Sequence, residues 1–437
     1  MRSRTWLGWI LVPIGLLVVA VAGMRLYMSV SRQLLHTNQQ TIPSVTHAAP
    51  TSKWSEVVER TRRIMKADLA AQNLPGLSVA VGVGGEIVWA EGFGWADIET
   101  RVPVTPDTTF RIGITSTVLT SAAVGVLLDK GKLTLDNEIQ TYVPKFAKKP
   151  WPVTLRQLMA NVGGVETDGE DDPLFRQRCE RPDEAVQHFA QSALLFEPGT
   201  QYRHSNYGWI LVSAAIEAAA DQKFLKFMDE RIFQPLGMDK TGAESATDEN
   251  PDRVGEPEED PPPFTFIRQV ILQPLGVAGP NRINDKDPAT VYFPGYGYNP
   301  HFRYGLHVMR PRNLSCYAGS MAFFSTPSDL VRFGLAVDGG KLLRPATVQV
   351  LQTSQKLTSG QETGYGLGWE LNTVKLAGKP TQAAGFVGGG RFWGRKVVSL
   401  MMFREAGIVV AVMSNVSYAD TPALALKVAE AFAQPAQ

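Results

Sequence analysis

The sequence predicts a mixed α/β (α+β) domain in which strand-forming segments from both ends of the chain enclose a helical middle. Short runs of β-branched and aromatic residues occur near the start and again in the last third, whereas the centre has apolar residues at helical spacing. A chain of 437 residues is long enough for one large core or two modest ones. We therefore expect one α/β body completed by both ends of the chain, with an α-domain inserted between them.

The charge balance narrows the function classes. The chain has 43 Lys+Arg against 42 Asp+Glu, a formal net charge of +1. It therefore lacks the excess of positive charge that would attract a polyanion. We expect no nucleic-acid partner. Hydrophobic residues make up 44% of the chain and aromatic residues 9%, which is typical of a folded globular body.

The first 28 residues differ from the rest of the chain. Residues 6–24 carry no charge, follow Arg2 and Arg4, and precede Arg25. Nineteen residues in a helix rise about 28 Å, enough to cross the hydrocarbon core of a bilayer. We predict a single-pass transmembrane anchor within residues 1–28, which places the chain in the cell membrane with the main domain extracytoplasmic, in the periplasm.

A second interpretation of this segment stays open. Ala20 and Ala22 form a small-x-small pattern just before Gly23, behind a basic start and an apolar stretch, as in a secretory signal peptide. Cleavage near Ala22 would release a secreted protein. In both interpretations the body is exported, and residues 29–52, which are polar and lack a hydrophobic period, are predicted to form a tether.

The spacing of apolar residues predicts the following helices and strands, in chain order, in a domain over 53–435. A first amphipathic helix ends near residue 72. Strands over 77–83 and 87–90 follow, and they flank a Gly-Gly turn as a β-hairpin. The later predicted elements are helices over 119–130, 155–159, 185–195, 209–220, 327–337 and 421–432, and strands over 365–371, 397–403 and 408–414.

The middle of the domain has two further divisions. The helical segments define an α-subdomain over about 115–330. Within it, an acidic run that begins at Asp248 leads into three consecutive prolines and then an aromatic stretch. We interpret residues 246–313 as an insertion or lid.

Cysteine and histidine usage predicts neither a metal site nor a cofactor. Cys179 and Cys316 could pair in an oxidising compartment, although two cysteines are not a disulfide framework. The six histidines form no His-Glu-x-x-His or comparable ligand pattern. We therefore expect no metal ion and no cofactor.

Several motifs occur in a fixed order between about residues 55 and 432. In these motifs the chain resembles the serine β-lactamase and penicillin-binding protein superfamily. The resemblance is greatest to the branch that contains class C β-lactamases, esterases and mitochondrial β-lactamase-like proteins. One such motif alone is a weak signal, whereas a collinear set is specific. The motifs are Phe-Arg-Ile-Gly at 110–113, Leu-Asp-Lys-Gly-Lys-Leu at 128–133, Glu-Pro-Gly-Thr at 197–200, Ser-Asn-Tyr-Gly at 205–208, Ala-Gly-Ser at 318–320, Ser-Thr-Pro-Ser-Asp-Leu at 325–330, Tyr-Gly-Leu-Gly-Trp at 365–369 and three glycines at 388–390.

The resemblance implies a β-lactamase/transpeptidase-like fold: an antiparallel sheet flanked by helices, plus an inserted all-α subdomain. It also implies a serine that attacks a carbonyl, a lysine one helical turn later that helps to deprotonate it, and a tyrosine from a Tyr-x-Asn loop that relays the proton. In this chain the serine and lysine positions are Ile114 and Thr117. The tyrosine position is His204, and the His or Lys of the last motif is Phe386. Four catalytic positions are changed together.

Neighbouring residues offer a replacement catalytic set. His204 can accept a proton near pH 7 if a nucleophile lies within hydrogen-bond reach. Ser116 lies two positions after Ile114, which on a helix points it nearly opposite, so a hydroxyl packed behind the site is the competing interpretation. Cys316 precedes the Ala-Gly turn that borders the pocket in the family, and a small buried cysteine is the competing interpretation for it.

Features of a ligand pocket survive these changes. In the family, backbone N–H groups at the nucleophile position and just after the last motif form the oxyanion hole, and here they belong to Ile114 and Gly389. Asn206 can hydrogen-bond a substrate amide or carboxylate. Such a site can bind a ligand without being a catalyst. The predicted ligand-binding residues are Ile114, Thr117, His204, Asn206, Phe386, Gly388 and Gly389.

Three hypotheses follow. The first is a membrane-anchored pseudoenzyme whose pocket binds a small molecule or a peptidoglycan-like or peptide ligand. The second is an active hydrolase of a β-lactam, an ester or a D-amino-acid peptide that uses His204 with Cys316 or Ser116. The third is a structural or partner-binding protein with a closed pocket. The fold class does not choose among them, because one fold hosts many functions.

Overall fold

The computed structural model describes residues 34–169, 172–243, 298–301, 305–308, 313–386, 397–416 and 418–434. Its main layer is an antiparallel sheet in the order β1-β3-β2-β13-β12-β11-β10, with β4 beside β3. The expected antiparallel sheet flanked by helices is confirmed. The strands of this sheet are β1 Ser44–Val45, β2 Gly76–Val83, β3 Glu86–Asp97, β4 Val102–Pro103, β10 Glu370–Leu376, β11 Lys379–Phe386, β12 Val398–Phe403 and β13 Ile408–Ser414.

Two smaller sheets lie between these strands in the chain. Strand β9 pairs with both β5 and β6, and β7 pairs with β8 as a hairpin. Their bounds are β5 Phe110–Arg111, β6 Gly242–Ala243, β7 Tyr298–His301, β8 Gly305–Val308 and β9 Phe323–Ser325.

Helices cover the sheet and fill the middle of the chain. Most of the helical segments lie between β4 and β10, as the alternation of elements in the sequence predicts. The helices are α1 Ser55–Ala71, α2 Ser116–Asp129, α3 Leu155–Met159, α4 Pro182–Val186, α5 Asn206–Ala220, α6 Phe224–Met228, α7 Pro327–Asp338, α8 Pro345–Leu351 and α9 Thr421–Ala433.

The main sheet is buried on both faces. Along β12, Leu400 and Met402 belong to one core cluster, whereas Met401 and Phe403 belong to the other, because successive strand residues point to opposite faces. Helices α1 and α9 cover one face, which we call the outer layer. Helix α7 and the helical subdomain cover the other face. Strands that are buried on both faces have continuous apolar sequences, which explains why β2, β12 and β13 could be predicted from the sequence.

The second half of the predicted tether is docked on the domain. Leu35 donates its backbone N–H to Asn73 Oδ1 at 2.8 Å, and Ile42 is buried in the outer layer. Strand β1 then pairs with β3. The prediction of a free polar linker therefore requires correction from Leu35 onward, because a single buried isoleucine and a two-residue strand are too short to show a hydrophobic period.

Two element predictions need adjustment, and one strand of the main sheet was missed. The helix predicted over 185–195 ends at Val186. The strand predicted from residue 365 begins at Glu370, because Gly368 has φ of +95° and turns the chain before the strand. Strand β11 was not predicted, since its Pro380, Thr381 and Gln382 hide the apolar pattern.

Two predictions concern residues outside the described ranges. In the described part of the chain, no helix combines the length and apolarity needed to cross a bilayer. The segment 6–24, in which the anchor is predicted, lies outside that part. Most of the predicted insertion at 246–313 also lies outside it; the described residues there include the β7–β8 hairpin.

Candidate functional site

The candidate site lies where a one-turn 3-10 helix, Gly113–Thr115, runs into α2. Gly113 has φ of +51°, a conformation that favours glycine, and it directs the chain from β5 into the helix. Ile114 occupies the nucleophile position and packs against the core around α2. Thr117, one helical turn later, is fully buried. The nucleophile position therefore presents a hydrocarbon side chain.

Ser116 lies behind the site. Its side chain is fully buried, and its Oγ accepts a hydrogen bond from the backbone N–H of Phe323 in β9 at 3.3 Å. This placement corrects the catalytic assignment of Ser116, because the hydroxyl holds the small sheet against α2. The helical periodicity that pointed Ser116 away from Ile114 agrees with this position.

Cys316 has no thiol available for catalysis. It forms a disulfide with Cys179, which lies 137 residues earlier in the chain. The backbone N–H of Cys179 also donates to Ser315 Oγ at 3.1 Å. The assignment of Cys316 as a nucleophile is corrected, because a bonded sulfur is not a thiolate. The bridge instead ties the loop before α4 to the 3-10 turn Ser315–Ser320.

That turn is shaped to lie close to α2. Ala318 adopts φ of +40°, which is uncommon for a residue with a side chain. A Cβ atom on Gly319 would overlap the Thr120 hydroxyl, which donates to the Gly319 carbonyl at 2.8 Å. The Ala-Gly pair therefore lets the turn approach the helix and place Ser320 in the site.

His204 belongs to a hydrogen-bond network with Asn206 and Ser320. His204 Nε2 lies 3.0 Å from Asn206 Oδ1, and the same oxygen accepts from Ser320 Oγ at 2.7 Å. Asn206 Nδ2 donates to Asp168 Oδ1 at 2.6 Å. This network assigns the proton to His204 Nε2 and leaves Nδ1 as an acceptor. Burial lowers the pKa of His204, against the raising effect of the Asn206 hydrogen bond, so the ring is neutral at neutral pH.

The network also changes the role of Asn206. Its side-chain oxygen already serves two donors, His204 and Ser320. Asn206 therefore positions His204 and Asp168. Its predicted role in ligand binding stays a prediction, and its partners were not visible in the sequence.

Two carboxylates in the loop between α3 and α4 were missed. Asp168 accepts from Asn206 and from Thr167 Oγ1, the latter at 2.8 Å, through one oxygen. Asp172 accepts from the hydroxyl of Tyr207 and from the backbone N–H of Leu174. Single acidic residues in a loop carry no pattern, so only the tertiary contacts of Asp168 with Asn206 and of Asp172 with Tyr207 reveal them.

A second group of buried polar atoms surrounds the lost lysine position. Thr117 Oγ1, Asn161 Nδ2 and Tyr365 Oη are buried, and none of them makes a hydrogen bond of normal distance and angle with the described residues. Burial raises the pKa of Tyr365 well above its ordinary value, while the nearby Thr117 and Asn161 side chains act in the opposite direction. Asn161 joins this group to the histidine network, because its Oδ1 accepts from the backbone N–H of Ser205 at 3.4 Å.

The last motif is only partly described. Phe386 is the final residue of β11 and pairs with Leu400 of β12. Gly388 and Gly389 lie outside the described residues, so their oxyanion-hole role stays a prediction. In the part of the chain that the structure describes, no three His, Cys, Asp or Glu side chains converge as they do around a metal ion.

The antiparallel sheet, the inserted helices and a site at the start of α2 define the class: a β-lactamase-like serine hydrolase domain. The Beta-lactamase family model matches residues 61–433. The chain belongs to this family, although the serine and lysine positions hold Ile114 and Thr117.

Known relatives are distant in sequence. The human mitochondrial serine beta-lactamase-like protein LACTB is 28% identical over 263 residues, which is 44% of this chain and 48% of the relative. Protein flp from Staphylococcus aureus is 24% identical over 183 residues, 41% of this chain and 37% of the relative. The matched parts thus span half or less of the curated relatives.

Solved structures show the shared fold more completely. A D-amino acid amidase from Ochrobactrum anthropi is 19% identical, with a TM-score of 0.63 over 86% of this chain and 99% of the amidase. A penicillin-binding protein homologue from Pyrococcus abyssi is 20% identical, with a TM-score of 0.61 over 84% of this chain and 76% of the homologue. At these identities the similarity establishes the fold alone.

Proposed function

We propose that this chain is an exported, membrane-anchored member of the β-lactamase family that binds a small acyl or peptide-like ligand without forming a serine acyl-enzyme. One observation carries the proposal. Ile114 and Thr117 replace the nucleophile and its base, while the neighbouring Ser116 hydroxyl is committed to the backbone of β9. Neither Ile114 nor Thr117 can supply an activated nucleophile at neutral pH.

The disulfide supports export. Cys179 and Cys316 are both buried, and structural disulfides persist in oxidising compartments such as the periplasm. The uncharged segment 6–24 supports an anchor or a signal peptide for the same export. Fractionation of cells, followed by N-terminal sequencing of the mature chain, separates the two: an anchored chain keeps Met1 or Arg2, whereas a cleaved chain starts near Gly23.

Unsatisfied polar groups support ligand binding over a closed structural role. Buried polar atoms without partners are rare in native proteins and cost about 1–3 kcal/mol each. In the site, Thr117 Oγ1, Asn161 Nδ2 and Tyr365 Oη contact one another without a hydrogen bond of normal distance and angle. A ligand or ordered water that pairs with these atoms would recover that free energy.

The test is acylation of the full chain in detergent micelles. We expect no covalent labelling by a fluorescent β-lactam or a fluorophosphonate, and no turnover of nitrocefin or p-nitrophenyl esters. The double variant Ile114→Ser/Thr117→Lys restores both reacting groups and is expected to gain covalent labelling. Ile114→Ala is the control that opens the site without a nucleophile. Labelling of the unmodified chain that Ile114→Ala leaves unchanged would contradict the proposal.

A further inference from the structure

We propose that the disulfide between Cys179 and Cys316 holds the candidate site together, so that the site is complete only in the oxidised chain. The inference rests on the proposed function, since it names how ligand binding at that same site is regulated. It follows from where the two cysteines lie relative to the residues that contact Asn206.

The first step is the position of Asn206 between two separate segments. Its Nδ2 donates to Asp168 Oδ1 at 2.6 Å, and its Oδ1 accepts from Ser320 Oγ at 2.7 Å. An amide that is bonded at both its nitrogen and its oxygen is fixed in one orientation. That orientation places Asn206 Oδ1 3.0 Å from His204 Nε2, so His204 depends on both segments.

The second step is that the disulfide joins the same two segments. Cys316 lies in the same 3-10 turn as Ser320, Ser315–Ser320. Cys179 ends the segment that begins with Asp168. The chain has two cysteines, so no other disulfide can replace this one. The bridge joins residues that are 137 positions apart, and the restraint from a disulfide increases with the length of the loop that it closes.

The third step is that successive residues of the segment from Asp168 to Cys179 contact the elements that carry Asn206 and Ser320. These contacts are Asp168 with Asn206, Asp172 with the Tyr207 hydroxyl, the Phe175 ring with the Tyr317 ring at 4.8 Å between centroids, and Cys179 with Cys316. The disulfide is the covalent member of this series. Its loss raises the population in which the segment is open, and the other contacts weaken with it because one segment carries them all.

The opening is expected to be local. The turn that carries Ser320 has anchors besides the bridge, because Gly319 O accepts from Thr120 Oγ1 at 2.8 Å and Gly319 N–H donates to Ser213 Oγ at 3.2 Å. These bonds hold the turn against α2 and α5 in the reduced chain as well. The bond from Asn206 to Asp168 is therefore the one that is lost, and the amide can then rotate away from His204.

Formation of the bridge ties the site to the compartment. Two thiols lose two electrons and two protons as the S–S bond forms, and the disulfide of a thiol–disulfide oxidant takes them up and becomes a dithiol. Oxidants of this class act in exported compartments, whereas the cytosol keeps thiols reduced. Cys179 and Cys316 are both buried, so the finished bridge is shielded from later exchange. The site is thus completed after export and stays complete.

The test measures the reactivity of His204 with and without the bridge. Diethyl pyrocarbonate modifies accessible imidazoles, and mass spectrometry locates the modified residue. The double variant Cys179→Ala/Cys316→Ala and the unmodified full chain are treated in a non-ionic detergent at pH 7. We expect His204 to react at least about tenfold faster in the double variant, because opening of the segment frees the ring. His47, whose side chain is 54% exposed, should react equally in both chains.

Reduction of the unmodified chain supplies a second measurement. Dithiothreitol, a dithiol, opens the bridge to two thiols and becomes a cyclic disulfide. Iodoacetamide labelling of Cys179 and Cys316 then gives the reduced fraction. The reduced chain should show the same rise in His204 modification, and reoxidation with oxidised glutathione should reverse it.

Two variants separate positioning of the site from a general loss of stability. Arg62→Met breaks the ion pair with Glu91 in the outer layer, so it lowers stability but should leave His204 at the unmodified rate. Ser320→Ala removes the other bond that fixes Asn206 and should raise His204 reactivity with the bridge intact. Circular dichroism and thermal unfolding check that each variant is folded.

Each outcome decides. Unchanged His204 reactivity in the folded double variant or in the reduced chain would overturn the inference and leave the proposed function standing, because acylation is measured separately. Loss of the whole fold in both would also overturn it, since the bridge would then support the domain and not the site. Covalent labelling of the unmodified chain by a β-lactam would contradict the proposed function whatever the effect of the bridge.

Discussion

The buried polar groups on the two faces of the main sheet differ in how completely they are hydrogen-bonded. In the outer layer, the carboxylate of Glu91 is almost fully buried on β3. It accepts from Arg62 Nε at 2.7 Å and Nη2 at 2.8 Å, and from Trp89 Nε1 at 2.9 Å. On the opposite face, in the candidate site, Asp168 Oδ2 and Thr117 Oγ1 are buried and make no hydrogen bond of normal distance and angle with the described residues.

This contrast indicates that the site has not been filled with apolar side chains like the rest of the hydrophobic core. A protein that only needed to fill the space of the lost catalytic groups would gain stability from apolar residues at every position, as it does at Ile114. The polar groups at Thr117, Asn161 and Tyr365 instead interact with one another outside normal hydrogen-bond geometry, which has a free-energy cost. Natural proteins tolerate such local conflicts mainly at functional sites.

The largest effect is expected from a variant that breaks the buried ion pair between Arg62 and Glu91 in the outer layer. Arg62→Met removes the cation from buried Glu91 and leaves its charge uncompensated. We expect the free energy of unfolding to fall by about 3–5 kcal/mol, because this is the usual cost of removing one partner from a buried ion pair. Chemical denaturation of the variant and the unmodified chain measures the difference.

Two further variants control this prediction. Glu59 also contacts Arg62 but is exposed, so Glu59→Gln should change stability by less than about 1 kcal/mol. The double variant Arg62→Met/Glu91→Met removes both charges and should recover most of the loss. A loss below about 1 kcal/mol for Arg62→Met would mean that Glu91 is hydrated and that the outer layer is not the satisfied region described above.

An intermediate effect concerns Asp338, at the C-terminal end of α7. Burial raises the pKa of this carboxyl to about 6, against the lowering effect of Arg404. The folded chain therefore holds this proton more tightly than the unfolded chain, so stability decreases as pH rises from about 4 through about 6. Asp338→Asn removes this penalty and should raise the free energy of unfolding at pH 7.5 by on the order of 2 kcal/mol.

The free energy of unfolding of the Asp338→Asn variant, measured as a function of pH, tests this explanation. Its advantage should shrink as the pH falls toward 4 and vanish below it, where the carboxyl becomes protonated in both states, and should stay constant above pH 7. Asp136→Asn is the opposite control, since the Arg156 hydrogen bonds lower the pKa of Asp136. A gain from Asp338→Asn that is the same at pH 4 and pH 7.5 would show that helix capping, and not the buried charge, is responsible.

The sequence predicted the regular parts of both regions and the substitutions in the site, because these depend on local patterns. Strands β2, β12 and β13 are continuous apolar runs, and Ile114 and Thr117 stand in recognisable motifs. The hydrogen bonds that Asn206 makes to Asp168 and Ser320 were not predictable, since these two residues come from separate loops and meet Asn206 only in the folded chain. Strand β1 was missed for the same reason: its pairing with β3 is a tertiary contact.

The smallest expected effect compares two threonines one turn apart on α2. Thr117 and Thr120 are both fully buried, but the Thr120 hydroxyl donates to Gly319 O at 2.8 Å, whereas Thr117 Oγ1 makes no hydrogen bond of normal distance and angle with the described residues. Thr120→Val should lower the free energy of unfolding by about 1 kcal/mol, because it removes a satisfied hydrogen bond from a close-packed turn. Thr117→Val should leave stability unchanged or raise it slightly, since it exchanges an unpaired hydroxyl for a methyl group of similar size. Thermal unfolding of the two variants and the unmodified chain measures both differences. Equal losses for the two would mean that Thr117 already has a partner such as a bound water, and that the α2 site is more completely satisfied than the contrast between the two faces of the sheet implies.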